Sequence, residues 1–182
     1  FNKSAGCIQG PNDPILKPKE ANKMDYEVEV AMVIGKKGKY IPANKAQEYI
    51  FGYCVVNDIS ERSWQKERGG QWIKGKSIAG PCGPYLVTKD EIENINNINL
   101  SLEVNNEKRQ SGNTKRMIFN FDFLISHISK FMTLYPGTII TTGTPAGTAM
   151  EMTHPKFLQA GDKLSLKVDY LGEQNHQIVD ED

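Results

Sequence analysis

The sequence has no apolar run approaching the roughly 20 residues that a bilayer-spanning helix needs. A helical membrane span is therefore not expected. It also lacks an excess of either charge. Lys plus Arg and Asp plus Glu each number 22, so the formal net charge is zero. No global field draws such a chain toward nucleic acid or an anionic membrane, and neither is expected as a partner. Cysteine is scarce. Cys7, Cys54 and Cys82 are the three present, far apart and without a CxxC pair. That argues against a disulfide framework or thiolate metal site, and for a reduced, cytoplasmic setting, mitochondrial if the source is eukaryotic. Histidine is equally sparse. His127, His154 and His176 are not spaced as a Ser/His/Asp or Cys/His constellation. The glycine-rich stretches match neither a Walker loop nor a dinucleotide fingerprint. No secretory signal pattern opens the chain, which begins at Phe1 and not Met. That is the expectation for a fragment, a processed form or a chain with an upstream segment.

A length of 182 residues suits one domain. Such a domain buries about 70% of its unfolded surface, enough for a core without staples. Residues 1–23 are rich in Pro, Gly and Asn and read as an irregular approach. Met24, Tyr26, Val28, Val30, Met32 and Ile34 then recur at period two, predicting one buried strand face. Pro42 to Phe51 reads as a short helix, and Tyr53 to Ile59 as a buried strand. Ser60 to Gly83 is polar, aromatic and without clear periodicity, and is expected to be a functional or disordered loop. Asn105-Asn106 between two strand-like runs predicts a tight hairpin. Asn120 is a cap for a helix to about Met132, with Leu124, Ile128 and Phe131 on its apolar face. Thr138 to Thr142 and a last strand, Lys163 to Tyr170, follow. Strands outnumber helices with few helical crossovers, so a β-rich α+β domain is expected.

Chemistry concentrates on carboxylates. Glu27 and Glu29 are two apart on a predicted strand and leave the same face. Alternation alone reads as the wet face of a half-buried strand. However, Ala31 and Val33 continue that face as apolar. Two carboxylates at the mouth of an apolar surface repel, and a cation is the usual way to keep both ionised. Asp58 ends the apolar run Tyr53-Cys54-Val55-Val56 and is the natural third ligand, although it also suits a turn cap for Ser60 and Glu61. An all-oxygen set points to Mg2+, with Mn2+ or Ca2+ as alternatives, and against zinc. Arg62, Gln65, Arg68, Gln71 and Lys76 crowd one loop with Trp64 and Trp72. They suit either a grip on a carboxylate substrate or a solvated surface, the latter being the plainer reading for Arg62 and Arg68. The turn from Thr141 to Gly147 offers hydroxyls and backbone donors.

These stretches, in order, resemble the fumarylacetoacetate hydrolase family, in particular its small domain-containing members. They are Gly10 to Ile15, Asp25 to Glu29, Phe51 to Ser60, Gln71-Trp72 with Gly75-Lys76-Ser77, Gly83 to Glu91, Gln110 to Thr114, and Thr142 to Gly147. The resemblance implies a mixed β-roll or β-sandwich, a homodimer, and a Mg2+-dependent reaction on a small 2-oxo or enol acid. It implies Glu27, Glu29 and Asp58 as metal ligands, Lys76 and Gln65 on the substrate side, and Thr144 against a substrate carboxylate. Two features of the family are missing. A His-x-x-Glu pair upstream of the Gly-Pro-Asn-Asp segment has no match in residues 1–9, and no Asp-Thr stretch follows Lys76-Ser77. Hydrolysis or isomerisation leads the implied reactions. Alternatives are oxaloacetate-type decarboxylation, ureidoglycolate-type lyase chemistry, and a non-catalytic metal-binding dimer module.

Overall fold

The computed structural model describes residues 1–70 and 72–182, without the side chain of Arg68. Gln71 and that side chain, both placed in the polar loop by sequence, lie outside the described residues. The strands are β1 (Ile8–Gln9), β2 (Ile15–Lys17), β3 (Met24–Asp25), β4 (Val28–Ile34), β5 (Ile50–Asn57), β6 (Ser60–Glu61) and β7 (Gly80–Pro81). They continue as β8 (Val87–Thr88), β9 (Asn99–Val104), β10 (Glu107–Asn113), β11 (Ile139–Thr141), β12 (Lys163–Val168) and β13 (Gly172–Asp180). Among the described residues there are three α-helices, α1 (Arg62–Lys66), α2 (Trp72–Lys76) and α3 (Phe121–Phe131), with short 3-10 turns elsewhere.

A five-stranded sheet runs β10-β9-β12-β13-β2, antiparallel except for the parallel β13–β2 edge. An antiparallel four-stranded sheet runs β11-β4-β5-β8. Both feed one core. The first contributes Leu100, Leu102, Val104, Leu164, Leu166, Val168 and Ile178; the second contributes Val30, Met32, Ile34, Tyr53 and Val55. All six period-two residues from Met24 to Ile34 join this core, as their spacing predicts. The opposite face of β4 and β5 carries Ala31, Val33, Cys54 and Val56, a second, smaller apolar layer. Every residue of β4 is therefore buried. The β-rich α+β expectation holds.

Four local expectations change. Pro42 to Phe51 is not an α-helix. Ala43–Glu48 is 3-10, and β5 already begins at Ile50, because its apolar residues are drawn into the sheet. The expected loop from Ser60 contains α1 and α2, each only five residues long and too short to show helical periodicity. The apolar face of α3 is rotated. Phe121 and Ile125 are buried, Leu124 and Ile128 flank them, and Phe131 is 72% exposed. Finally, Lys163 to Tyr170 is not the last strand, since β13 follows and is buried at Gln174, His176 and Ile178. Two of those three are polar, which hid the strand's period. The Asn105-Asn106 hairpin stands as predicted, with φ of 53° and 64°.

Candidate metal centre

The β3–β4 segment and β5 present the acidic residues. Glu27 lies in the break between β3 and β4, where its backbone N–H donates to the Asn57 side chain (3.2 Å) and its carbonyl accepts from the Asp58 N–H (2.9 Å). Glu29 stands across from Val56 in the β4–β5 ladder, and Asp58 follows the last residue of β5. Strand alternation thus sends Glu27, Glu29 and Asp58 to one end of the same face. One carboxylate oxygen from each lies within 4.8 Å of the others, and all three residues are buried.

Cations surround part of this cluster. The Lys76 ammonium, 1% exposed, reaches Glu27 Oε2 at 2.7 Å and Asp58 Oδ2 at 2.9 Å. Lys3 reaches Asp58 Oδ1 at 2.6 Å and also donates to the carbonyls of Ile59 and Lys76. Arg62 approaches Glu27 Oε1 at 2.6 Å as an ion pair without hydrogen-bond alignment. It donates to Asp25 Oδ2 at 2.9 Å and to Gln65 Oε1 at 3.1 Å. Asp25 is otherwise taken up by the backbone N–H groups of Tyr26, Ala149 and Met150, so it acts as a structural anion. Among the described residues, no salt bridge reaches Glu29. Its carboxylate accepts only the Gly143 N–H, at 2.7 Å.

The electrostatics follow. Burial, then the Asp58 and Glu27 charges, push the Glu29 carboxyl up to about 8. Burial also raises Glu27, against the opposing pull of Lys76 and Arg62. For Arg62, burial works against the charge, but Glu27 and Asp25 outweigh it and the pKa is raised. A buried carboxylate beside two others, with no cation of its own, is the group a divalent ion would hold ionised. The all-oxygen donors fit a hard cation and not a soft one.

The remaining expected residues sit as follows. Gln65 is buried in α1 against Arg62. Gly75 lets α2 press onto α1. A Cβ there would lie 2.6 Å from both the Gln65 Cα and the Glu61 carbonyl oxygen. This approach carries Lys76 into the cluster. The Thr144 hydroxyl donates to the Val28 carbonyl (2.9 Å) and accepts from Gln110 Nε2 (2.8 Å). Its loop thereby grips the backbone beside Glu29. Arg62 departs from its plainer surface reading, being 4% exposed between two carboxylates. Lys3 and the anchoring role of Asp25 escaped sequence reasoning. Lys3 lies in an irregular segment with no periodicity, and Asp25 sat inside the predicted strand, where nothing marked it as buried.

A β-rich domain that presents three buried carboxylates beside a buried lysine offers a candidate metal centre of the carboxylate type. Residues 1–179 match the family described as fumarylacetoacetate (FAA) hydrolase C-terminal, and the chain belongs to that family. A Burkholderia cenocepacia relative that carries a hydrolase name is 50% identical over 177 residues, covering 96% of this chain and 63% of the relative. Among solved structures, a fumarylacetoacetate hydrolase from Exiguobacterium antarcticum superposes with a TM-score of 0.94 at 36% identity, covering all of this chain and 66% of that one. A 5-carboxymethyl-2-hydroxymuconate delta-isomerase from Mycobacterium smegmatis gives 0.90 at 35% identity, covering all of this chain and 69% of that one. The chain thus spans roughly two-thirds of the length of these relatives. No helix among the described residues is long and apolar enough to cross a membrane.

Proposed function

We propose that this chain forms the catalytic domain of a Mg2+-type enzyme acting on a small 2-oxo or enol acid, by C–C bond hydrolysis or isomerisation. The observation that carries it is Glu29, buried with Glu27 and Asp58 within 4.8 Å and without an ion pair of its own among the described residues. Glu27, Glu29 and Asp58 would hold a divalent cation, which would supply Lewis-acid polarisation of the substrate. Lys76, buried and 2.7–2.9 Å from the Glu27 and Asp58 carboxylates, stands where it would stabilise an enolate or oxyanion that develops there. Arg62 orients Gln65 through its Oε1, which leaves Nε2 as the donor that can fix substrate orientation. The Thr144 hydroxyl meets the substrate carboxylate by exchanging its bond to Val28. The hydrolase and isomerase named above support an enolate-stabilising site in this fold. The proposal includes self-association as a homodimer, which light scattering reads directly.

The test is turnover of a panel of acylpyruvates, oxaloacetate and ureidoglycolate with and without Mg2+. Metal-dependent turnover of an acylpyruvate is expected. Lys76→Met is expected to lower kcat by about 10²–10³ with the Mg2+-induced Tm shift retained, the magnitude typical of losing one oxyanion stabiliser. Metal binding without turnover of any of these would favour the non-catalytic module.

A further inference from the structure

Three cysteines scattered through the sequence do not stay scattered in the fold. Cys54 lies on β5, on the face shared with Val56 and Asp58, and is 2% exposed. Cys82 follows β7 and forms a backbone bridge to Val56, diagonal to Cys54. The two Sγ atoms stand 3.5 Å apart. We propose that Cys54 and Cys82 are a thiol–disulfide exchange site, closing reversibly to a disulfide in the floor of the apolar layer behind the metal ligands.

Three observations carry this. First, the backbones on both sides are already fixed. The Gly83 N–H donates to the Val55 carbonyl (3.0 Å) and the Cys82 N–H to the Gln9 carbonyl (3.1 Å). The Gln174 amide nitrogen bridges the Val55, Pro81 and Gly83 carbonyls at 2.8–3.3 Å. Closing the sulfurs from 3.5 Å to the roughly 2.0 Å of a disulfide is an approach of about 1.5 Å between backbones held in place. Second, the pair is reachable. Cys82 is half-buried and lines a cavity of about 720 Å3, together with Lys3, Cys7, Val56, Ile139 and Thr141. Third, the roles are asymmetric. Cys82 is half-buried and lines the cavity, whereas Cys54 is 2% exposed and does not line it. Cys82 is thus the attacking sulfur and Cys54 the resolving one. The site does not depend on the proposed reaction.

The exchange needs a low-molecular-weight disulfide as oxidant. The Cys82 thiolate attacks one sulfur of that disulfide, forming a mixed disulfide and releasing the first small thiolate. That thiolate takes up the proton given up by Cys54. The Cys54 sulfur then attacks the Cys82 sulfur, and the second small thiolate departs and is protonated by water, balancing the proton Cys82 lost on forming its thiolate. Two protein thiols are oxidised and one small disulfide is reduced to two thiols.

The experiment equilibrates the folded protein in mixtures of oxidised and reduced glutathione, quenches in acid, denatures, alkylates and maps peptides without reduction. A peptide pair joining Cys54 to Cys82, lighter by two hydrogens and reversed by dithiothreitol, is expected in the wild type and in Cys7→Ser. In Cys54→Ser, glutathione is expected to remain trapped on Cys82. If the serine variants fold poorly, the wild-type map alone decides. Cys54 and Cys82 both recovered alkylated from the most oxidising mixture would overturn the proposal. So would glutathione left on Cys82 in the wild type without a crosslink, or a crosslink through Cys7.

Discussion

Glu29 is the residue on which the proposed metal centre turns. Lys76, Arg62 and Lys3 are already taken up by Glu27 and Asp58, while Glu29 has a single backbone donor. Replacing its carboxyl with an isosteric amide removes the cost of burying that group, which in the metal-free fold is met by taking up a proton or by an unpaired charge. Glu29→Gln is therefore expected to raise Tm in chelator-treated protein and to abolish the Tm increase that Mg2+ gives the wild type. Differential scanning calorimetry with and without Mg2+ separates the two effects. A Mg2+ response equal to wild type would remove Glu29 from the site. Sequence alone marked Glu29 only as one of two same-face glutamates. The apolar continuation through Ala31 and Val33 favoured a site over a wet strand face, and the structure buries those residues as a second layer.

At the level of elements, the site depends on how closely α1 and α2 meet. Gly75 stands against the backbone of Glu61 and Gln65, so a methyl group there forces the helices apart. Gly75→Ala is expected to destabilise the protein by about 1–3 kcal/mol, typical of overpacking, and to displace Lys76 from Glu27 and Asp58. Denaturant melts read the first effect. The second would appear as weakened substrate turnover with metal binding retained. A neutral Gly75→Ala would contradict the close approach. The N-cap of α3 gives a simpler case. Asn120 accepts the Phe123 N–H at 2.9 Å, and Asn120→Ala is expected to cost about 1 kcal/mol in the same melts. These elements also show what sequence could reveal. The strand from Met24 to Ile34 and the Asn105-Asn106 hairpin were legible because apolar alternation and positive-φ residues are local signals. Two five-residue helices carry no periodicity. β13 hides its inward face behind Gln174 and His176, whose partners are the Val55, Pro81, Gly83 and Asp13 carbonyls, far off in sequence.

At the scale of the whole molecule, the cluster is expected to couple stability to pH and, through the proposed ion, to metal. The Glu29 carboxyl is raised from 4.5 to about 8, so the native state binds its proton more tightly than the unfolded state does. The metal-free protein should therefore lose stability as pH rises between those two values, and level off above them. A divalent ion competes with that proton, so its stabilisation should grow over the same window. Melts at roughly pH 5 and about pH 8.5, each with Mg2+ or with chelator, check the sign. A metal-induced Tm gain that shrinks as pH rises would contradict it. Whole-chain resemblance pointed to the same three carboxylates from sequence, whereas Lys3 and Asp25 became legible only when β3, β6 and α2 were brought together.

The most direct measurement is anomalous diffraction from crystals of the protein grown with Mn2+. The account predicts a manganese peak with one oxygen of each of Glu27, Glu29 and Asp58 at about 2.0–2.3 Å. No peak there, or a peak bound by other residues, would contradict it.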